Sequence, residues 1–219
     1  FNGKTFKKFI QTSDDIYAAN LLKSLLQLER EKFASLLWND FGLPLHIITD
    51  DSYLDSMPSD KDFKKTLDKN NSIYRLAIGQ QAPYTLETVL NWYSRVASGL
   101  KVDFKYTNES SIFEKVSMNE EDLKYLKECF NSVLYGTASK VKESLIANGV
   151  SIENIWCKTG TAEKPDKKSN ASSSFIIANE NYTIGIMLKG TIPHNRDNYS
   201  AKDLFISLIP ILKKYEIMQ

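Results

Sequence analysis

An α+β fold follows from three features of the order in which hydrophobic patterns occur. Apolar residues recur at helical spacing through most of the first 150 positions, the period then changes to that of strands over 155–189, and a last amphipathic helix follows Ser200. The predicted architecture is an antiparallel sheet flanked by helices. A helical lobe at about 1–150 precedes the sheet and closing helix at about 151–219.

Each element has its own signal. Phe6, Phe9 and Ile10 share a helical face until Ser13-Asp14-Asp15 interrupts them. A second amphipathic run carries Ile16, Leu21, Leu22, Leu25, Leu26, Leu28, Phe33, Leu36 and Leu37, and Phe41-Gly42-Leu43-Pro44 stops it. Residues 49–72 are polar and charged, a surface loop with some helix. Thr85 starts a helix with Glu87 in its first turn; Leu86, Val89, Leu90, Tyr93, Val96 and Ala97 line its apolar face, and Gly99 closes it. Ser117-Met118-Asn119-Glu120 reads as a capping box ahead of Leu123, Leu126, Phe130, Val133 and Leu134, ending near Gly136. A short helix over 138–147 stops at Asn148-Gly149. Strands are predicted at 155–162, 173–179 and 182–189, with a polar loop from Lys164 to Asn170 and a turn at Asn179-Glu180-Asn181. Ser200 caps the last helix, which carries Leu204, Phe205, Leu208, Ile209 and Leu212 and is bent by Pro210.

Composition narrows the function. The 219 residues suit one domain, with an apolar fraction of 42% that is ample for an interior. The 28 basic and 27 acidic residues nearly cancel, which excludes a broad electrostatic footprint for nucleic acid. No apolar run approaches the roughly 18 residues needed to span a bilayer. The start, Phe1-Asn2-Gly3-Lys4, has neither an initiator Met nor a signal-peptide pattern and reads as a cut end, so location cannot be taken from targeting residues. Cys129 and Cys157 are expected as buried thiols. With His46 and His194 the only histidines, no metal-ligand spacing, cofactor site or Cys–His pair is expected.

The chemistry concentrates in Ile155-Trp156-Cys157-Lys158-Thr159-Gly160-Thr161-Ala162-Glu163, where a β-prone stretch runs into a Lys, two hydroxyls and a Gly. On a strand, Lys158, Thr159 and Thr161 are read as a cation and two hydroxyl donors on one face, suited to an anion. Gly160 leaves bare backbone against which a ligand can lie. The segment is a carboxylate-binding strand edge.

Lys158-Thr159-Gly160 resembles the third signature of the serine penicillin-binding proteins and β-lactamases. Three further segments, in matching order, carry the likeness. Residues 6–22 resemble the surroundings of the second signature, Ser-x-Asn, with Ser13 and Asp15 at its first and third positions. Ile78-Gly79-Gln80 with Thr85-Leu86-Glu87 and Trp92-Tyr93 resembles the helix entry of the penicillin-binding transpeptidases. Gly136-Thr137-Ala138 is similar to the Gly-Thr-Ala ahead of their Lys-Thr-Gly strand.

The resemblance implies a β-lactamase/transpeptidase-like fold, incomplete on its N-terminal side. It implies a D,D-transpeptidase that cross-links peptidoglycan stem peptides through an acyl-serine, binds β-lactam antibiotics, and works outside the cytoplasmic membrane on an upstream tether. Lys158, Thr159, Gly160 and Thr161 would hold the terminal carboxylate, and the Thr161 N–H would serve an oxyanion hole. Ser13 would relay a proton to the leaving amine; a helix cap is the other reading of Ser-Asp-Asp. Two departures stand out. Asp15 replaces Asn, so an amide donor is exchanged for a carboxylate that only accepts. The first signature, Ser-x-x-Lys, does not precede Ser13; its spacing occurs only at Ser98–Lys101 and Ser139–Lys142, read as chance. The nucleophile is therefore expected upstream of Phe1, in a part of the protein that completes the fold. The alternative is an inactive homologue that binds peptidoglycan peptides or a partner protein.

Overall fold

The computed structural model describes residues 5–35, 77, 86–101, 114–162, 171–192 and 199–218. The chain divides into two compact units, Phe1–Gly3 with Asp14–Val89, and Lys4–Ser13 with Leu90–Gln219. In the first unit, α2 (Asp15–Ser35) is capped by Asp14, whose carboxylate accepts from the Tyr17 N–H at 3.0 Å. Leu36, Leu37, the stop at 41–44, the loop at 49–72 and Ile78-Gly79-Gln80 lie outside the described residues.

The second unit opens with α1 (Phe6–Thr12), capped by the Thr5 hydroxyl, which accepts from the Lys8 N–H at 3.2 Å. Helix α3 (Leu86–Ser98) begins in the first unit and runs into the second; Thr85 itself is outside the described residues. Gly99 ends it at φ 72°, in the left-handed region a glycine adopts without strain. A two-stranded ladder that the sequence did not announce follows, with β1 (Leu100–Lys101) antiparallel to β2 (Glu114–Lys115). At such length the strand period has nothing to act on.

Helix α4 (Glu120–Asn131) corrects the expected capping box. Its N-cap is Asn119, extended at φ −69° and ψ 159°, whose side chain accepts from the Asp122 N–H at 2.8 Å. The Asn119 amide also donates to the Asp122 carboxylate at 2.6 Å, so the reciprocal pair lies two residues later than Ser117. A 3₁₀ turn (Ser132–Tyr135) and α5 (Ser139–Ala147) complete the helical run, close to the predicted bounds.

The sheet is antiparallel in the order β3 (Trp156–Ala162), β4 (Ala171–Ala178), β5 (Thr183–Ile192). Pairing of Trp156 with Ala178 and Ala178 with Thr183 fixes the register. Asn179 closes the turn by accepting from the Asn181 and Tyr182 N–H groups at 2.8 and 2.9 Å. The expected loop from Lys164 to Asn170 falls outside the described residues. Helix α6 (Ala201–Lys214) follows its N-cap Ser200 and continues through Pro210. The Asp203 carboxylate accepts from the Ser200 N–H at 2.8 Å.

The period of two along each strand sends alternate side chains to two packed faces. One face carries Trp156, Ala178 and Thr183, and α3 covers it: Ala97 packs with Trp156 and Ala178, and the Ser94 hydroxyl donates to the Thr183 hydroxyl at 3.0 Å. The other carries Cys157, Phe175 and Ile177, packed with Ile10, Cys129, Val133, Leu134, Val141, Leu145, Phe205 and Ile209. The Phe175 and Phe205 ring centres lie 5.1 Å apart. Buried Ser173 ties α6 to β4 by accepting from the Ala201 N–H at 2.8 Å. Asn131, at the end of α4, donates to the Ile152 and Ile155 carbonyls, each at 2.8 Å, and so fixes the chain as it enters β3.

The end of α1 is held by a close backbone approach. A Cβ on Gly136 would overlap the Gln11 carbonyl oxygen, which accepts from the Thr137 N–H at 3.4 Å. The Gln11 side-chain amide donates to the Tyr135 carbonyl at 3.2 Å. A methyl here meets rigid backbone, so Gly136→Ala is expected to destabilise the second unit by roughly 1–3 kcal/mol in urea unfolding. An unchanged midpoint would contradict the described contact.

Candidate functional site

Helix α1 ends at Ser13, in the left-handed conformation at φ 52° and ψ 55°, with its N–H donating to the Phe9 carbonyl. Non-glycine residues occupy that region uncommonly, and short polar side chains tolerate it best. Ser13 is a helix cap, as the other reading had it, but at a C-terminus: it closes α1, and Asp14 caps α2. The turn leaves the Ser13 hydroxyl beside β3, an edge strand of the sheet among the described residues.

Lys158 reaches that hydroxyl. Its Nζ donates to Ser13 Oγ at 2.5 Å, joining residues 145 positions apart, and to the Thr159 carbonyl at 2.8 Å. Thr159 Oγ1 donates to Thr137 Oγ1 at 2.7 Å. The Thr137 carbonyl accepts from Lys202 Nζ, on the first turn of α6, at 3.3 Å. An ammonium and three hydroxyls thus gather where the end of α1, the Gly136 turn and the edge of β3 meet, all within the second unit. Lys158 and Thr159 are half-buried, a setting in which charge-assisted hydrogen bonds are less screened than at the open surface.

One expectation changes in detail. Lys158 and Thr159 do not share a face, because strand alternation sends them to opposite faces; the Lys158 ammonium folds back to Ser13 Oγ and the Thr159 backbone carbonyl. Gly160 faces its cross-strand partner closely: a Cβ there would stand 2.5 Å from Ser174 Oγ, so the serine hydroxyl would have to rotate away. Thr161 is exposed beyond the cluster. Asp15 opens α2 in the other compact unit, and it too is exposed.

Neither Ser-x-x-Lys spacing forms a nucleophile and base. Ser98 ends α3, donating to the Ser94 carbonyl at 2.7 Å, while Lys101 lies 3.8 Å from Glu114 on the small ladder. Ser139 and Lys142 share a turn of α5, but the Lys142 ammonium sits 4.5 Å from the Tyr135 ring centre. Among the described residues no group of three or more His, Cys, Asp and Glu side chains could hold a metal. No described helix is long and apolar enough to cross a membrane.

Sequence reasoning missed Thr137, Gln11 and Lys202 as neighbours of this cluster. The Gly136-Thr137-Ala138 triplet was the available signal, but its link to Thr159 needs the fold.

The structure is similar to the penicillin-binding protein PBP2 from Helicobacter pylori, with a TM-score of 0.66 and 17% identity over 97% of this chain and 40% of that one. It is equally similar to PBP2 in the complex between that protein and MreC from Helicobacter pylori, with a TM-score of 0.65 and 18% identity over 98% and 41% of the two chains. The fold is penicillin-binding-protein-like. The chain spans about 40% of the length of these solved penicillin-binding proteins. No protein-family model and no curated protein matches the sequence.

Both thiols are buried in the core. Burial pushes Cys157 up to about 12, against the pull of neighbouring Lys158. Burial also raises Cys129, with Tyr125 and Lys7 opposing and Glu128 assisting. An acid whose folded pKa is raised favours the folded state below its unfolded value. That contribution is lost as pH climbs from the ordinary thiol range, about 8.5, towards 12. Iodoacetamide at pH 8.5 should therefore leave both cysteines unmodified in the native protein and alkylate both in urea. Native modification of Cys157 would contradict its burial.

Proposed function

We propose that these residues form part of a penicillin-binding D,D-transpeptidase, acting through an acyl-serine whose nucleophile lies outside the 219 residues. The observation that carries this reading is the approach of Lys158 Nζ to Ser13 Oγ at 2.5 Å, with the hydroxyl of the next residue, Thr159, held by Thr137 Oγ1 at 2.7 Å. Acyl transfer from a stem peptide needs a grip on the terminal carboxylate, a proton relay to the leaving amine and an oxyanion hole. Lys158 and Thr159 supply a cation and a hydroxyl for the carboxylate, with Thr161 farther along the strand. Because the ammonium occupies the acceptor side of Ser13 Oγ, the Ser13 O–H is left to donate, as a relay requires. The Thr159 carbonyl accepts from Lys158 at the free edge, and the period of two sends the Thr161 N–H the same way, in the sense an oxyanion donor requires.

In this reading the substrates are peptidoglycan stem peptides, β-lactams acylate the same serine, and the reaction takes place outside the cytoplasmic membrane with the protein tethered there. A specific observation favours a second reading, an inactive homologue that binds peptidoglycan peptides or a protein. Asp15 stands where the resemblance calls for Asn, and neither Ser-x-x-Lys in the chain has nucleophile geometry. The solved complex of PBP2 with MreC supports a protein partner in either reading.

Intact-mass spectrometry of the full-length protein, with and without a penicillin, tests the proposal. The transpeptidase reading predicts a gain of one penicillin per chain, lost when Lys158 is replaced by Met. No mass gain by the wild type would sink it in favour of the inactive homologue.

A further inference from the structure

We infer that Thr137 is a positioning residue that aims the Thr159 hydroxyl at the bound carboxylate. The inference rests on the carboxylate-gripping reading of the strand edge and identifies what holds that grip in place. As the site stands, Thr159 Oγ1 donates to Thr137 Oγ1 at 2.7 Å, so its single proton is engaged within the protein. A hydroxyl has one donor and two acceptor positions. Binding a carboxylate therefore requires the Thr159 O–H to turn towards the ligand. The Thr137 O–H then swings to donate into Thr159 Oγ1, so the 2.7 Å contact survives with its direction reversed and no hydroxyl is left without a partner.

Thr137 can do this because its own backbone is fixed from three sides. Its N–H donates to the Gln11 carbonyl at 3.4 Å, its carbonyl accepts from Lys202 at 3.3 Å, and the preceding Gly136 packs directly on Gln11. Ala138, immediately after it, is completely buried in the core. The hydroxyl is thereby held at one place relative to β3, in a turn docked on the α1 terminus that carries Ser13. A valine at 137 keeps the volume and removes the hydroxyl, leaving Thr159 free to change rotamer.

The test measures binding, so it does not depend on the nucleophile. The full-length protein is titrated, by chemical-shift perturbation, with a peptide ending in D-alanyl-D-alanine and with its C-terminal amide. The wild type should bind the acid more tightly than the amide. Thr137→Val should weaken acid binding about tenfold, the worth of roughly one hydrogen bond to a charged group, and leave amide binding unchanged. Thr137→Ser should restore acid binding, and Thr137→Val in a Thr159→Val background should cost nothing further. Thr137→Ala serves the same comparison where valine prevents folding. A Thr137→Val protein that keeps the wild-type preference for the acid overturns the positioning role alone. Equal loss for acid and amide overturns it too, since general loosening of the turn would act on both. A wild type indifferent to the carboxylate removes the grip itself and this inference with it.

Discussion

The close approach of Gly136 to the Gln11 carbonyl governs what the second unit can present. It docks the end of α1 on a turn that follows α4 by only a few residues, with no side chain to separate the two backbones. Ser13 closes α1 and Thr137 follows Gly136, so one backbone contact sets where two of the three hydroxyls can be. Without it Lys158 would still lie on β3, but its partner from 145 residues away would have no fixed position.

The strand supplies the other half of the geometry. Asn131 pins the approach to β3 through two carbonyls, and the full ladder with β4 sets the rise and face of each residue from Trp156 to Ala162. Cys157 anchors the strand in the main core and Trp156 anchors it beneath α3, so consecutive residues are fixed on opposite faces. The site begins at the next residue, where a charged side chain follows two buried apolar ones and must turn to the free edge. Core packing and site geometry are thus consequences of one alternation.

Much of this was legible in the chain. Long periodic segments such as α4 with its 3₁₀ extension, the three strands and α6 were placed within a few residues, because a buried face repeats often enough to be read. Lys158, Thr159 and Ser13 were singled out from residue type and order, and the fold brings the Lys158 ammonium to Ser13. The α4 cap was shifted because Ser117 and Asn119 are both capping residues, and only backbone conformation selects between them. The shared face assigned to Lys158 and Thr159 neglected the strand period. Thr137 was out of reach because its role depends on contacts with residues 11 and 159, which no local pattern encodes.

The claim that an ammonium held by Ser13 and the Thr159 carbonyl waits at the strand edge for a carboxylate can be read directly at the Lys158 nitrogen. In ¹⁵N-lysine spectra of the full-length protein, that ammonium should exchange slowly with water and shift on addition of a D-alanyl-D-alanine peptide, but not of its amide. A Lys158 signal that exchanges like a surface lysine and ignores both peptides would contradict the account.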